Sequence, residues 1–199
     1  MPDNEFTYKL TGKTPAFMHN GQLANPLNVF ARRMKEITSK GRKKTDEDLE
    51  ALSLIEWEGG LYFDEEIGPY WPAENIEAMI RTAARGFKRG PDVQKGVQVV
   101  EAKVALDYDG PRDKKGMLKD GRFLDIRRAK PPGSGGTVMR ARPIFYPPWS
   151  VIFTVLVRLD KLNEEDVHRF LVQAGKDVGL SDRNPRYGLF DVQRLNGKK

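Results

Sequence analysis

The chain has no cysteine, so no disulfide, thiolate nucleophile or Cys-built zinc site is available to it. Two histidines, His19 and His168, give little from which to assemble a His-based metal site. No stretch approaches the roughly 18 consecutive apolar residues of a membrane-spanning helix. The opening "MPDNEFTYKL" has no basic segment followed by an apolar run, so a soluble, unexported protein without a membrane partner is expected. "TGKTP" (Thr11–Pro15) has the look of a phosphate loop but lacks the G-x-x-x-x-G-K-[ST] spacing, which rules out a P-loop nucleotidase reading.

What is present is positive charge, unevenly placed. The formal net charge is +6. Between Arg32 and Lys44 seven of thirteen residues are Lys or Arg against the single acid Glu36, whereas Asp46–Glu66 is acidic. From Arg112 to Arg142 ten basic residues face Asp113, Asp120 and Asp125. Segregation of this kind is what a face meeting a polyanion requires.

Periodicity gives a mixed chain. "EFTYKL" alternates as a strand. "NPLNVFARRMKEITSKG" reads as a helix with Asn25 as N-cap, Pro26 in its first turn and Leu27, Phe30, Met34 and Ile37 as its stripe. Thr45 opens a second helix with acids in its first turn. "PAENIEAMIRTAARGFKRG" reads as a third, closed by Gly90-Pro91. Val97–Tyr108 is expected as one long strand, and Ser150–Leu159 as the strongest core strand. A helix capped by Asn163 and a closing strand "YGLFDVQRL" follow. The order β-α-α-β-α-β-loop-β-β-α-β favours an α+β, ferredoxin-like or RRM-like antiparallel core. A single domain over 1–199 is expected, with mobile insertions near 39–45 and 111–136.

Three segments carry candidate chemistry. In "GLSDRNPRYG" (Gly179–Gly188), Arg183 and Arg186 are fork-shaped cations in a loop stiffened by Pro185, and the bracketing glycines permit close backbone approach. That suits phosphate; the plain alternative is a helix-to-strand connection. In "RARPIFYPPW", Arg140 and Arg142 precede aromatic residues, the combination single strands need for backbone contact and stacking. Tyr146 is the exposed candidate there, and Phe145 and Trp149 are expected in the core. Arg32 and Arg33 on the first helix, with Arg42, Lys43 and Lys44 after it, complete the expected nucleic-acid-binding set.

An enzymatic pattern also exists. Pro91-Asp92 and Glu101-Ala-Lys103 formally follow the PD…ExK pattern of metal-dependent nucleases, but at a short spacing that leaves no room for a separate hairpin strand between the pairs. Glu101 and Lys103 read equally well as a surface ion pair. No Ser/His/Asp set emerges, since His19 falls in a loop and His168 on the exposed side of a helix.

The strand–helix–strand unit from "SVIFTVLVRL" to "FDVQRL", with "GLSDRNPRYGLF" before its last strand, resembles the RAMP superfamily, the RRM-like proteins of CRISPR RNA-binding complexes. Serine, aspartate and asparagine stand where such loops carry further glycines. "MHNGQLANPLN", "GLYFDEEIGPYWP", "YDGPRD" and "RARPIF" are similar to uncharacterised proteins of bacteriophages and prophages. Together these resemblances imply a non-catalytic protein of a phage, in the bacterial cytoplasm. It would bind single-stranded RNA or DNA through basic loops without cofactor or metal, and would self-associate along the strand or meet a host or phage protein. Two other classes stay open: a phage protein that binds or inhibits a host defence complex, and a Mg²⁺-dependent nuclease. No motif announces 2′-hydroxyl contacts, so RNA and DNA are not separated.

Overall fold

The structure, a computed structural model, describes residues 4–129 and 138–196. In chain order its elements are β1 (Glu5–Gly12), β2 (Ala16–Phe17), α1 (Val29–Thr38), α2 (Asp46–Gly60), β3 (Phe63–Asp64), β4 (Gly68–Pro72), α3 (Ala73–Arg85) and α4 (Gly90–Gly96). Then follow β5 (Val97–Val99), β6 (Lys103–Tyr108), α5 (Lys114–Asp120), β7 (Leu124–Ala129), β8 (Val138–Phe145), β9 (Trp149–Val157), α6 (Glu164–Asp177) and β10 (Phe190–Asn196). They fall into two compact units: Met1–Phe17 with Phe63–Gly110 and Phe145–Lys199, and Met18–Tyr62 with Pro111–Ile144.

The first unit is an antiparallel sheet in the order β10-β1-β9-β6-β4-β3, with β5 also on β9. Its β1–α3–β6–β9–α6–β10 run is the β-α-β-β-α-β of a ferredoxin-like or RRM-like fold, with the fourth, first, third and second core strands side by side. Alternation decides which face is covered. Phe6, Tyr8 and Leu10 of β1 and Val151, Phe153 and Val155 of β9 are buried, while their neighbours Lys9 and Ile152 sit opposite one another on the other face. The buried face meets α3 and α6, which pack on each other and bury Ile80, Ala83, Phe170 and Ala174 on their apolar faces.

Val97–Tyr108 is not one strand. The ladder on β9 breaks after Val99 and resumes from β6, and in the gap both Glu101 carboxylate oxygens accept the Thr154 N–H, at 3.1 and 2.9 Å. Gly90-Pro91 does not simply end α3: Pro91 lies in the first turn of α4, where its missing N–H has no intrahelical partner to lose. β4 was hidden in "GPYWP" because glycine and proline read as turn signals.

The second unit pairs α1 with α2 and adds α5 and the β7–β8 hairpin. Asn25 does not cap α1. Its side chain accepts from Leu27 N, and Asn28 makes the cap by accepting from Phe30 N at 2.9 Å. Leu27 therefore precedes the helix and is 70% exposed. Phe30 and Leu23 lie against Gly59 of α2, where a Cβ would come within 2.9 and 2.6 Å of them. Trp57 is fully buried and donates to Phe123 O at 2.8 Å. Residues 111–129, expected as part of a largely mobile insertion with room for a short strand at "RFLDIRR", carry α5 and β7, whereas 130–137 lie outside the described residues.

Candidate nucleic-acid interface

The loop Gly179–Gly188 is closed on itself and braced by the segment after β1. Leu180 N donates to Gly188 O and Gly188 N to Pro15 O, both at 2.8 Å, and Asp182 N reaches Phe17 O at 2.9 Å. Ser181 Oγ accepts from Phe17 N at 2.9 Å and from Arg183 N at 3.3 Å. Gly179 and Gly188 have φ of +81° and +75°. A Cβ on Gly179 would lie 2.4 Å from Tyr187 O, and one on Gly188 2.4 Å from Leu180 O. The close approach these glycines permit is thus between the two limbs of the loop.

Aromatic residues hold the arginines. Phe17 and Tyr187 pack edge to face at 4.9 Å between centroids. The Arg183 guanidinium lies 5.7 Å from the Phe17 ring and 5.9 Å from the Tyr187 ring, and that of Arg186 lies 5.7 Å from Tyr187. Arg183 is half-buried, with Nη1 out of water and without a hydrogen-bond acceptor among the described residues. Neither arginine has a carboxylate partner there. Many other basic side chains do: Arg89 with Asp92, Arg122 with Asp120 and Arg169 with Asp166.

Elsewhere on the first unit, Phe145 and Trp149 are fully buried and Tyr146 is 50% exposed. Trp149 lies over Gly12, where a Cβ would overlap its indole, and it donates to Thr14 O at 2.9 Å. On the sheet, Phe6, Tyr8, Trp149 and Phe153 point into the core, whereas half-buried Tyr70 of β4 stands opposite exposed Ala105, with the Lys103 ammonium 5.4 Å from its ring. His168 is half-buried instead of exposed, stacked on Tyr8 at 6.1 Å.

In the second unit the basic residues divide. Arg32, Arg33, Arg42 and Lys43 are exposed on α1 and the turn after it, without an ion-pair partner among the described residues. Lys44 donates to Gly41 O at 2.6 Å. Arg140 donates to buried Glu56 at 2.7 Å, and Ala141 N reaches the other Glu56 oxygen at 2.9 Å. Arg142 is half-buried on the same strand, β8.

The nuclease-like residues are occupied structurally. Asp92 accepts from Arg89 at 2.5 Å, Glu101 fills the break in the β9 ladder, and Lys103 pairs with Asp64. That pairing holds Asp64 below and Lys103 above the usual range of its type. Among the described residues no cluster of three acids or histidines has the geometry to hold a metal ion, and no helix is long and apolar enough to cross a membrane.

No family model and no curated protein matches this chain. A solved structure does: the chain is similar, with TM-score 0.54 and 14% identity, to one in the cryo-EM structure of the Type III-B Cmr-beta bound to cognate target RNA. The similarity covers 98% of this chain and 62% of that one. At that identity it shows a shared fold alone, and this chain spans about three-fifths of its neighbour's length.

Proposed function

We propose that this protein binds single-stranded nucleic acid, RNA in the first instance, through backbone phosphates and without catalysis. The observation that carries this reading is the Arg183 guanidinium, held against Phe17 and Tyr187 with one nitrogen desolvated and no acceptor. Nη1 is closed to an incoming group, but the guanidinium edge that stays open beside exposed Arg186 can donate to a phosphate oxygen with charge assistance. Arg186 on the same ring extends the contact along a strand. Exposed Arg32, Arg33, Arg42 and Lys43 form the second contact region, and Tyr146 is the ring offered for stacking. Arg140 acts through Glu56 as a support for β8. With most strand aromatics in the core, this reading rests recognition on loops and phosphates, hence with little sequence preference. The neighbour's complex, bound to target RNA, puts RNA first among the strands to test. A phage setting and a protein partner remain parts of this proposal.

The test is binding of a labelled single strand, as RNA and as DNA, across a salt series. Affinity should fall steeply with salt, by a slope of about 0.7 per phosphate contact. Arg183→Ala with Arg186→Ala should weaken binding at least about tenfold and flatten that slope by roughly one to two contacts. Salt-independent binding, or none at low salt, would overturn the proposal and favour a protein-binding role.

A further inference from the structure

We infer that the β7 edge is a self-association surface, on which two copies of this chain pair antiparallel about a two-fold axis at Ile126. β7 is the end strand of its sheet. Next to it α2 leaves an apolar groove of about 370 Å³ lined by Leu49, Glu50, Ser53, Leu54, Leu124 and Ile126. Leu49, Leu54 and Ile126 are 46, 45 and 47% exposed, unusual for large side chains gathered in one place. Among the described residues no strand pairs with this edge, and an open edge beside an apolar surface is what natural sheets ordinarily cover or charge.

Backbone parity limits the registers. Ile144 N donates to Phe123 O at 3.1 Å, and Asp125 and Arg127 stand opposite Arg142 and Arg140. Hydrogen-bonded pairs alternate along an antiparallel ladder, so Asp125, Arg127 and Ala129 turn their backbone groups to β8. Leu124, Ile126 and Arg128 turn theirs outward. A second copy related by a two-fold axis must match residues of equal parity.

Charge then selects among those registers. An axis at Asp125 sets two aspartates opposite each other, and one at Arg127 sets two arginines opposite each other. An axis at Ile126 sets Asp125 opposite the other copy's Arg127, twice, in the closer non-hydrogen-bonded pairs. Arg127 already reaches Asp125 in its own chain at 2.7 Å, so the dimer would extend that pair into a cross-strand network. The same axis brings two Ile126 side chains together and carries the groove of each copy across the dyad.

The absence of cysteine makes the test clean. Directly opposite hydrogen-bonded residues lie about 5.5 Å apart at Cα, within disulfide reach. Nuclease-treated full-length Ile126→Cys should therefore oxidise to a covalent dimer, and Leu159→Cys, an exposed control on the other unit, should not. Sedimentation of the unmodified chain should give twice the monomer mass at high concentration. Asp125→Arg and Arg127→Asp should each weaken self-association roughly tenfold, and combining them should restore it, because the swapped edge is again self-complementary. A chain that stays monomeric, or a dimer that neither cross-links through position 126 nor responds to the charge exchange, would overturn the inference. Capture of a different partner by a monomeric chain would do the same.

Discussion

Gly188 shows how a single residue sets the candidate interface. Its φ of +75° is open to glycine at low cost, and a Cβ there would sit 2.4 Å from Leu180 O, against backbone that cannot swing away. Gly188→Ala is expected to cost about 2 kcal/mol, combining the left-handed backbone with the clash, as measured by denaturant unfolding. Because Leu180 N donates to Gly188 O, the same change should open the loop and loosen the rings that hold Arg183. Strand affinity should therefore fall even at temperatures where the variant is fully folded. Loss of stability with unchanged affinity would separate the loop from binding.

At the scale of elements, caps and breaks decide what each segment becomes. Thr45 closes a capping box on α2: its hydroxyl accepts from Asp48 N at 3.3 Å, and Asp48 accepts from Thr45 N at 3.2 Å. Thr45→Ala should cost about 1 kcal/mol, seen as a lowered Tm with strand affinity retained. This cap and that of Asn163 on α6 were legible from sequence, because a capping signal is complete within four consecutive residues. The ferredoxin-like core was legible for a related reason, since its strands and helices keep their own periods. The start of α1 was misplaced because Asn25 and Asn28 both make the same local bond to the residue two ahead, and only the second is followed by helix. The break between β5 and β6 falls at Glu101-Ala102, weak strand formers inside a run otherwise rich in valine, and it depends on Glu101 meeting Thr154, 53 residues away. The Gly179–Gly188 loop was legible as punctuation. Its brace was not, because Phe17 and Ser181 are 164 residues apart and meet only once the sheet has formed.

The fold of the first unit depends on a strand near the start of the chain lying between two near its end. β1 pairs with β9 on one side and β10 on the other, and Thr7 meets Thr154 across 147 residues. Tyr8 sits at this junction, fully buried, with its hydroxyl 3.5 Å from Glu164 O on α6. Burial, followed by the nearby Glu164 carboxylate, pushes its phenol well above the ordinary tyrosine value. In an unfolded chain that phenol titrates near pH 10. The folded state therefore keeps a proton that the unfolded state releases, and stability is complete below about pH 10 and declines as pH rises beyond it. Lys103, raised by its bond to Asp64, acts in the same direction from the surface, so the wild-type decline alone does not identify Tyr8. Tyr8→Phe does. It keeps the ring against Phe153 and His168 and removes the ionisable group, so its denaturant midpoint should hold better than wild type above about pH 10. Near neutrality, losing a hydrogen bond as long as 3.5 Å should change it little. Equal alkaline decline in both proteins would mean that β1 separates from β9 and β10 for a reason other than this buried phenol.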